Sequence, residues 1–190
     1  MKTAAKTVLV PIADGSEEIE AVCIIDTLRR AGADVTVAAV GAQTLVNASR
    51  GIKLVADKTM EACAGKTYDL IALPGGMPGS AHLRDSQPLA DMLREQHRKG
   101  QLYAAICAAP VVVLQHHGLL ENKRATAHPA LVNDLRNKES AHERVVVDGS
   151  CVTSRGPGTA LEFALKLVEL LYDADKARTL SSEMVARTGA

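Results

Sequence analysis

The chain has 190 residues, 47% of them hydrophobic and 23% charged, and its 22 basic residues balance its 22 acidic residues. This composition is typical of one globular domain and argues against intrinsic disorder. The missing basic excess argues against a stable nucleic-acid complex, and no apolar run approaches the roughly 18 residues of a membrane span. We therefore expect a single domain over residues 1–190 that forms no stable nucleic-acid complex and has no membrane partner.

Short β-branched runs alternate with helical patterns along the chain. In chain order they predict a strand at 7–13, a helix at 17–30, strands at 34–40 and 68–74, a helix at 89–100, a strand at 101–106, a helix at 109–120, a hairpin at 144–154, and helices at 159–172 and 174–187. Strands that are apolar throughout indicate a mostly parallel sheet with helices on both faces. The expected fold class is therefore α/β, with its functional site at the carboxyl ends of the strands.

The four cysteines are widely spaced and form no Cys-x-x-Cys pair; they are Cys23, Cys63, Cys107 and Cys151. No export signal precedes them, so we expect reduced thiols in the cytoplasm rather than disulfides or a zinc site. No His-Glu-x-x-His pattern suggests any other metal centre.

Cys107 lies in the segment AAICAAP, directly after a predicted strand and before a predicted helix. A nucleophile on a strand-to-helix turn has this placement, and the helix dipole would lower the thiol pKa. The amide of Ala108 would then point toward an anion at the sulfur. An inert core cysteine fits these residues equally well.

Glu20 is the only residue that is not apolar in the stretch IEAVCII. A helix that is apolar all round is buried on more than one side, and a subunit interface is the natural second cover. Burial would raise the pKa of the carboxyl, and a neutral Glu20 could donate a hydrogen bond or move a proton. The alternative is that Glu20 simply reaches solvent.

Two further segments lie at the predicted functional edge. The glycine pair 75–76 in LPGGMPGS follows a strand and suits an exposed backbone N–H, half of an oxyanion hole, although an ordinary turn fits too. This segment lacks the Lys-Ser/Thr of a phosphate loop, which disfavours a nucleotide site. His128 closes a short apolar stretch and is the one histidine expected at this edge, whereas TSRGPGT (153–159) is interpreted as a tight turn.

Five motifs together resemble the ThiJ/PfpI superfamily: GSEEIEAV, LPGGMPG, AICAAP, HP and TSRGPGT, which follow the family's order from about residue 6 to 172. Within it the chain is similar to the branch of the bacterial YajL chaperone and the human parkinsonism-associated deglycase. The resemblance implies a flavodoxin-like three-layer sandwich that forms a homodimer and needs no cofactor.

The resemblance also implies roles for individual residues. Cys107 matches the reactive cysteine that oxidises to a sulfinate, Glu20 matches the protonated glutamate beside it, and His128 matches a nearby histidine. Backbone donors around the sulfur match Gly76 and Ala108. Residues near the site and the dimer interface match Asp26, Arg30 and Arg50.

One departure from the wider superfamily narrows the function. The PfpI-type proteases have a histidine directly after the cysteine, where this chain has Ala108. No histidine follows His142, so the late His-x-Glu of class I glutamine amidotransferases is absent as well. Without a strong base, peptide hydrolysis is disfavoured, and a thiolate beside a neutral acid suits α-oxoaldehydes and peroxides.

The residues together with the resemblance imply three functions, in order of preference. The first is a glyoxalase or deglycase that acts on methylglyoxal, glyoxal or glycated side chains. The second is a redox-regulated chaperone for unfolded client proteins in which Cys107 is the switch. The third, a flavodoxin-like nucleotide binder, is the least favoured because the chain has no phosphate loop.

Overall fold

Alternate side chains of the first strand belong to two different hydrophobic cores. The computed structural model describes residues 5–186. In β1 (Thr7–Ile12), Val8 and Val10 lie in one core and Leu9 lies in the other, and none of the three is exposed. Successive strand residues point to opposite faces, so this strand is stable only when helices cover the sheet on both sides.

The strands form one large sheet and one small hairpin. After β1 come β2 (Asp34–Ala39), β3 (Leu45–Asn47), β4 (Lys53–Val55), β5 (Lys58–Thr59), β6 (Leu70–Leu73), β7 (Leu102–Ile106), β8 (Val145–Asp148) and β9 (Cys151–Ser154). Seven of them form a sheet in the order β5-β2-β1-β6-β7-β9-β8, in which all neighbours are parallel except β8 and β9. Strands β3 and β4 pair only with each other, as an antiparallel hairpin.

Helices cover both faces of the sheet. One layer contains α1 (Glu18–Arg30), α4 (Ala160–Leu171) and α5 (Ala174–Glu183), and the other contains α2 (Gly79–Asp85), α3 (Gln87–Arg98) and a π-helical segment (Pro110–Gln115). The predicted α/β flavodoxin-like sandwich is thus confirmed. No helix within residues 5–186 is long and apolar enough to cross a membrane. The single domain over residues 1–190 stays a prediction.

Two predictions of local structure differ from the observed elements, and the hairpin β3–β4 and helix α2 were not predicted. The regular helix expected at 109–120 is wrong, since the chain forms the short π-helical segment and then turns. Pro110 has no amide hydrogen, and the three valines that follow it are β-branched, which weakens a regular helix. The hairpin β3–β4 and helix α2 are too short to show periodicity. The helix expected at 174–187 ends at Glu183, and residue 187 lies outside the described residues.

The chain changes direction across the sheet between β1 and β6. From β1 it continues outward to β2 and β5, whereas from β6 it continues the other way to β7 and β9. The loops after β1 and β6 meet at this switch point with their backbones in contact. A Cβ on Gly76 would lie 2.4 Å from Gly15 O, and one on Gly79 would lie 2.3 Å from Ser16 N. Glycine is therefore required at both positions, and the crevice at this edge is closely packed.

Candidate active site

Cys107 lies at the carboxyl end of β7 in a backbone conformation that is rare for a residue with a side chain. Its φ is 65°, which is sterically unfavourable outside glycine and persists only where the surroundings enforce it. Its N–H donates to Ser154 O at 3.0 Å, and its carbonyl accepts from His128 N–H at 2.8 Å. These two bonds fix the strained turn, so the side chain projects at the switch-point edge with only 8% of the residue exposed.

Glu20 lies in the first turn of α1 and is fully buried. Its Oε2 accepts a hydrogen bond from Gly75 N–H at 2.7 Å. The N-cap residue of the helix, Glu17, strengthens the same junction: its carboxylate accepts from Glu20 N–H at 2.8 Å, and its own N–H donates to Gly75 O at 2.9 Å. The start of α1 is therefore fixed to the loop after β6, and the Glu20 carboxyl cannot turn away to solvent.

The Glu20 carboxyl and the Cys107 thiol act on each other. Oε1 of Glu20 is buried and makes no hydrogen bond within residues 5–186, and the carboxyl lies close enough to Cys107 for each group to shift the pKa of the other. Burial raises the pKa of Glu20 to about 7, against the opposing effects of the Gly75 amide and the thiol. Near neutral pH the carboxyl therefore exchanges a proton readily, and Oε1 is the oxygen free to carry it.

The thiol does not have the lowered pKa that its place before a helix suggests. Burial raises the pKa of Cys107 to about 12, and the charge of Glu20 adds to the increase. The amides of Gly76 and Ala108 act on the sulfur in the opposite direction. Because two negative charges repel in this buried space, Cys107 and Glu20 titrate as a pair that keeps one proton over a wide pH range.

Gly75 supports the site, although the sequence analysis assigned an individual role only to its neighbour Gly76. A Cβ at Gly75 would lie 2.6 Å from Cys107 Cβ and 2.9 Å from Ala108 N, so any side chain would displace the nucleophile. Its N–H orients Glu20, whereas the N–H of Gly76 acts on the sulfur. The glycine pair was visible in the sequence, but the role of Gly75 toward Glu20 was not.

His128 lies in the loop whose backbone supports the strained turn. Its Nδ1 accepts a hydrogen bond from Ala130 N–H at 3.2 Å, so a neutral ring carries its proton on Nε2. The adjacent ring carbon, Cδ2, points toward Gly156. Gly156 was interpreted as part of a simple turn, and the structure places it against both His128 and Glu20.

The remaining candidates lie apart from the thiol. On α1, Arg30 Nε donates to Asp26 Oδ2 at 2.7 Å in an exposed ion pair. The backbone N–H of Arg50 donates to Glu18 at 2.8 Å, while its guanidinium donates to Ser49 O. These three residues make no hydrogen bond to the groups around Cys107, and their place at a dimer interface stays a prediction.

Metal ligands are not concentrated anywhere in the described residues. Within residues 5–186 no group of three or more His, Cys, Asp or Glu side chains is arranged to hold a metal ion. The four cysteines are all free thiols.

The coupling of Cys107 to Glu20 predicts a two-step titration. The first proton leaves the pair with an apparent pKa at or below about 7, because loss from Glu20 alone already occurs there. Because Glu20 raises the pKa of Cys107, Glu20→Ala should leave a single thiol step, at lower pH than the thiol step of wild type, and speed alkylation of Cys107 at pH 7 by about tenfold, the effect of one pKa unit. The measurement is the iodoacetamide rate against pH, read by mass spectrometry on the Cys107 peptide.

A matched control is Glu95→Gln, which alters an exposed carboxyl on α3 in the opposite helix layer and should leave both steps in place. If the alkylation profile of Glu20→Ala matches that of wild type, Cys107 titrates independently of Glu20 and the coupling is wrong.

Comparisons with known proteins identify the family of this chain. A model of the DJ-1/PfpI family matches residues 6–170. The chain is 51% identical over 174 residues to Protein DJ-1 homolog B of Arabidopsis thaliana, covering 92% of this chain but only 40% of that protein. It is 35% identical over 175 residues to the glutathione-independent glyoxalase DJR-1.2 of Caenorhabditis elegans, covering 91% of each.

A solved structure shows the same fold. The structure of oxidized Toxoplasma gondii DJ-1 superposes with a TM-score of 0.94 at 49% identity, covering 97% of this chain and all of that one. The predicted superfamily is confirmed: the chain belongs to the DJ-1/PfpI family.

Proposed function

We propose that the protein is a cofactor-independent glyoxalase of the deglycase type, which converts methylglyoxal or glyoxal into lactate or glycolate. The observation that carries this proposal is the buried pair of Cys107 and Glu20, with two amide donors at the sulfur. A family member of similar length is named a glyoxalase, which supports the same chemistry. Free aldehydes and their early adducts on proteins or nucleotides are the proposed substrates.

The residues suit each step of the reaction. The Cys107 thiolate attacks the aldehyde carbon, and the carbonyl oxygen becomes the hemithioacetal oxygen, stabilised by the amides of Gly76 and Ala108. A proton then leaves this carbon and another is delivered to the neighbouring ketone carbon, through Glu20 and His128. This internal rearrangement oxidises the first carbon to a thioester and reduces the second to an alcohol. Water releases the hydroxy acid and restores the thiol.

The burial of the site limits what can react. Only 8% of Cys107 is exposed and Glu20 is fully buried, so a small aldehyde should reach the thiol more readily than a folded peptide segment. Four free thiols also suit a reducing compartment, and we place the activity in the cytoplasm, where it would protect against carbonyl and oxidative stress.

Substitution of the nucleophile tests the proposal. Cys107→Ser should lower the kcat for lactate formation from methylglyoxal by at least about a thousandfold, as expected when a covalent nucleophile is removed. Cys23→Ser, a half-buried thiol on α1, is the matched control and should keep the wild-type rate. Lactate is quantified by an enzyme-coupled assay, and full lactate production by Cys107→Ser would exclude the covalent mechanism.

A redox-regulated chaperone is the second candidate. The Toxoplasma relative is described as oxidized, and peroxide would convert the Cys107 thiolate to a sulfenate and then a sulfinate, releasing one water at each step. The new charge would appear beside Glu20 and strain its bond to Gly75.

Peroxide-treated wild type should then suppress aggregation of a heat-unfolded client enzyme several-fold better than reduced protein, as measured by light scattering. Equal protection by peroxide-treated Cys107→Ala would remove the thiol as the switch.

We also propose that a second copy of this chain covers an apolar surface formed by α1 and the β3–β4 hairpin. Large side chains that are about half or more exposed lie on both elements: Ile19, Val22, Ile52 and Val55. The buried carboxylate of Glu18 joins the elements by accepting from Ser49 Oγ and Arg50 N–H, both at 2.8 Å. Because these hydrogen bonds fix the apolar surface in place, it suits a permanent interface between subunits.

Charge at this surface should separate the subunits. Val22→Asp is expected to convert a dimer to a monomer at micromolar concentration, because the carboxylate would be desolvated in the interface. Sedimentation velocity gives the mass. Thr67→Asp, an exposed loop position before β6, is the charge control. A wild type that sediments as a monomer refutes the dimer.

A further inference from the structure

Gly156 leaves a space the size of one methyl group between the two proton-carrying side chains of the site. A Cβ at this position would lie 3.5 Å from His128 Cδ2 and 4.0 Å from Glu20 Oε1, with no other non-neighbouring heavy atom of the described residues within 4 Å. These are ordinary van der Waals distances, so a methyl group would fit there without a clash.

The backbone does not explain why this residue is glycine. The φ of Gly156 is 163° and its ψ is −169°, an extended conformation that other residues also adopt. At Gly75, by contrast, a Cβ would collide with Cys107 Cβ at 2.6 Å. The missing side chain at Gly156 therefore keeps the space open, and the backbone conformation does not require it.

The position of Gly156 is held firmly. Its N–H donates to Thr159 Oγ1 at 3.1 Å, and its carbonyl accepts from Thr159 N–H at 2.8 Å and from Thr159 Oγ1 at 2.9 Å. The Thr159 hydroxyl also lies 2.7 Å from Ser154 Oγ, and Ser154 O accepts the Cys107 amide. The wall beside the space is thus tied to the same backbone that fixes the nucleophile.

We propose that this space receives the substituent on the ketone carbon of the substrate, so that Gly156 determines which α-oxoaldehydes react. The inference rests on the proposed glyoxalase function. Once Cys107 holds the aldehyde carbon, both Glu20 and His128 must reach the two carbons between which the proton moves. The ketone carbon then lies near these groups, and its substituent occupies the space between them: a hydrogen in glyoxal, a methyl in methylglyoxal.

The test is to fill the space. Gly156→Ala should lower kcat/KM for methylglyoxal at least about tenfold more than for glyoxal, the discrimination that one methyl group supports in a tight pocket. Gly158→Ala is the matched control, because a Cβ there meets nothing within 4 Å, and it should change neither value. The pH profile of Cys107 alkylation, unchanged in Gly156→Ala, would show that the thiol pair is intact.

The outcomes are separable. An equal fall for both substrates, or no change for either, overturns the role of Gly156 and leaves the glyoxalase function standing. If wild type converts neither substrate, the glyoxalase function itself is wrong.

Should Gly156→Ala fail to fold, wild type alone provides the test. It should convert 2-oxobutanal, whose ethyl group exceeds the space, at least about tenfold less efficiently than methylglyoxal, and equal efficiency would overturn the inference.

Discussion

The hydrogen bond from Gly75 N–H to Glu20 Oε2, 2.7 Å long, is the interaction on which the site depends. It joins residues 55 positions apart, from the start of α1 and the loop after β6. It occupies one carboxyl oxygen and leaves the other, Oε1, without a hydrogen-bond partner in the described residues, in a carboxyl that interacts with the thiol. Because the bond lies in a buried region, it is both strong and costly to break. Without it, the Glu20 side chain would not be held in a fixed direction, and no hydrogen bond from Gly75 would offset the cost of burying its carboxyl.

The same junction requires backbones to approach one another unusually closely. Gly75 has no room for a Cβ beside Cys107, and Gly76 has none beside Gly15 O. The strained φ of Cys107 is maintained because Ser154 and His128 hold the peptide groups on either side of it. In the proposed reaction this rigidity would be useful, because the sulfur, the two amides and the carboxyl would need no reorganisation when charge develops on the substrate.

Much of this arrangement could be predicted from the sequence, for physical reasons that also set the limit. The uninterrupted apolar run of β6 indicated a strand of a mostly parallel sheet. The structure agrees, since all four of its residues are buried. Glu20 was conspicuous as one polar residue in an apolar helix. The raised pKa of Cys107 was not predictable, since it depends on how deeply the sulfur is buried and how near Glu20 lies. Likewise, the space at Gly156 exists only in relation to side chains on two other elements.

Glu18 and Glu20 show how one helical turn supports two opposite electrostatic roles. Two residues along a helix correspond to a rotation of about 200°, so their side chains face different surroundings. Burial acts to raise the pKa of Glu18, but hydrogen bonds from its own backbone, Ser49 and Arg50 prevail and lower it. Glu20 has one such bond and a neighbouring thiol, and burial raises its pKa to about 7. The carboxylate that holds the hairpin thus stays charged while the one beside Cys107 titrates, so proton transfer at the thiol leaves the hairpin's attachment to α1 undisturbed.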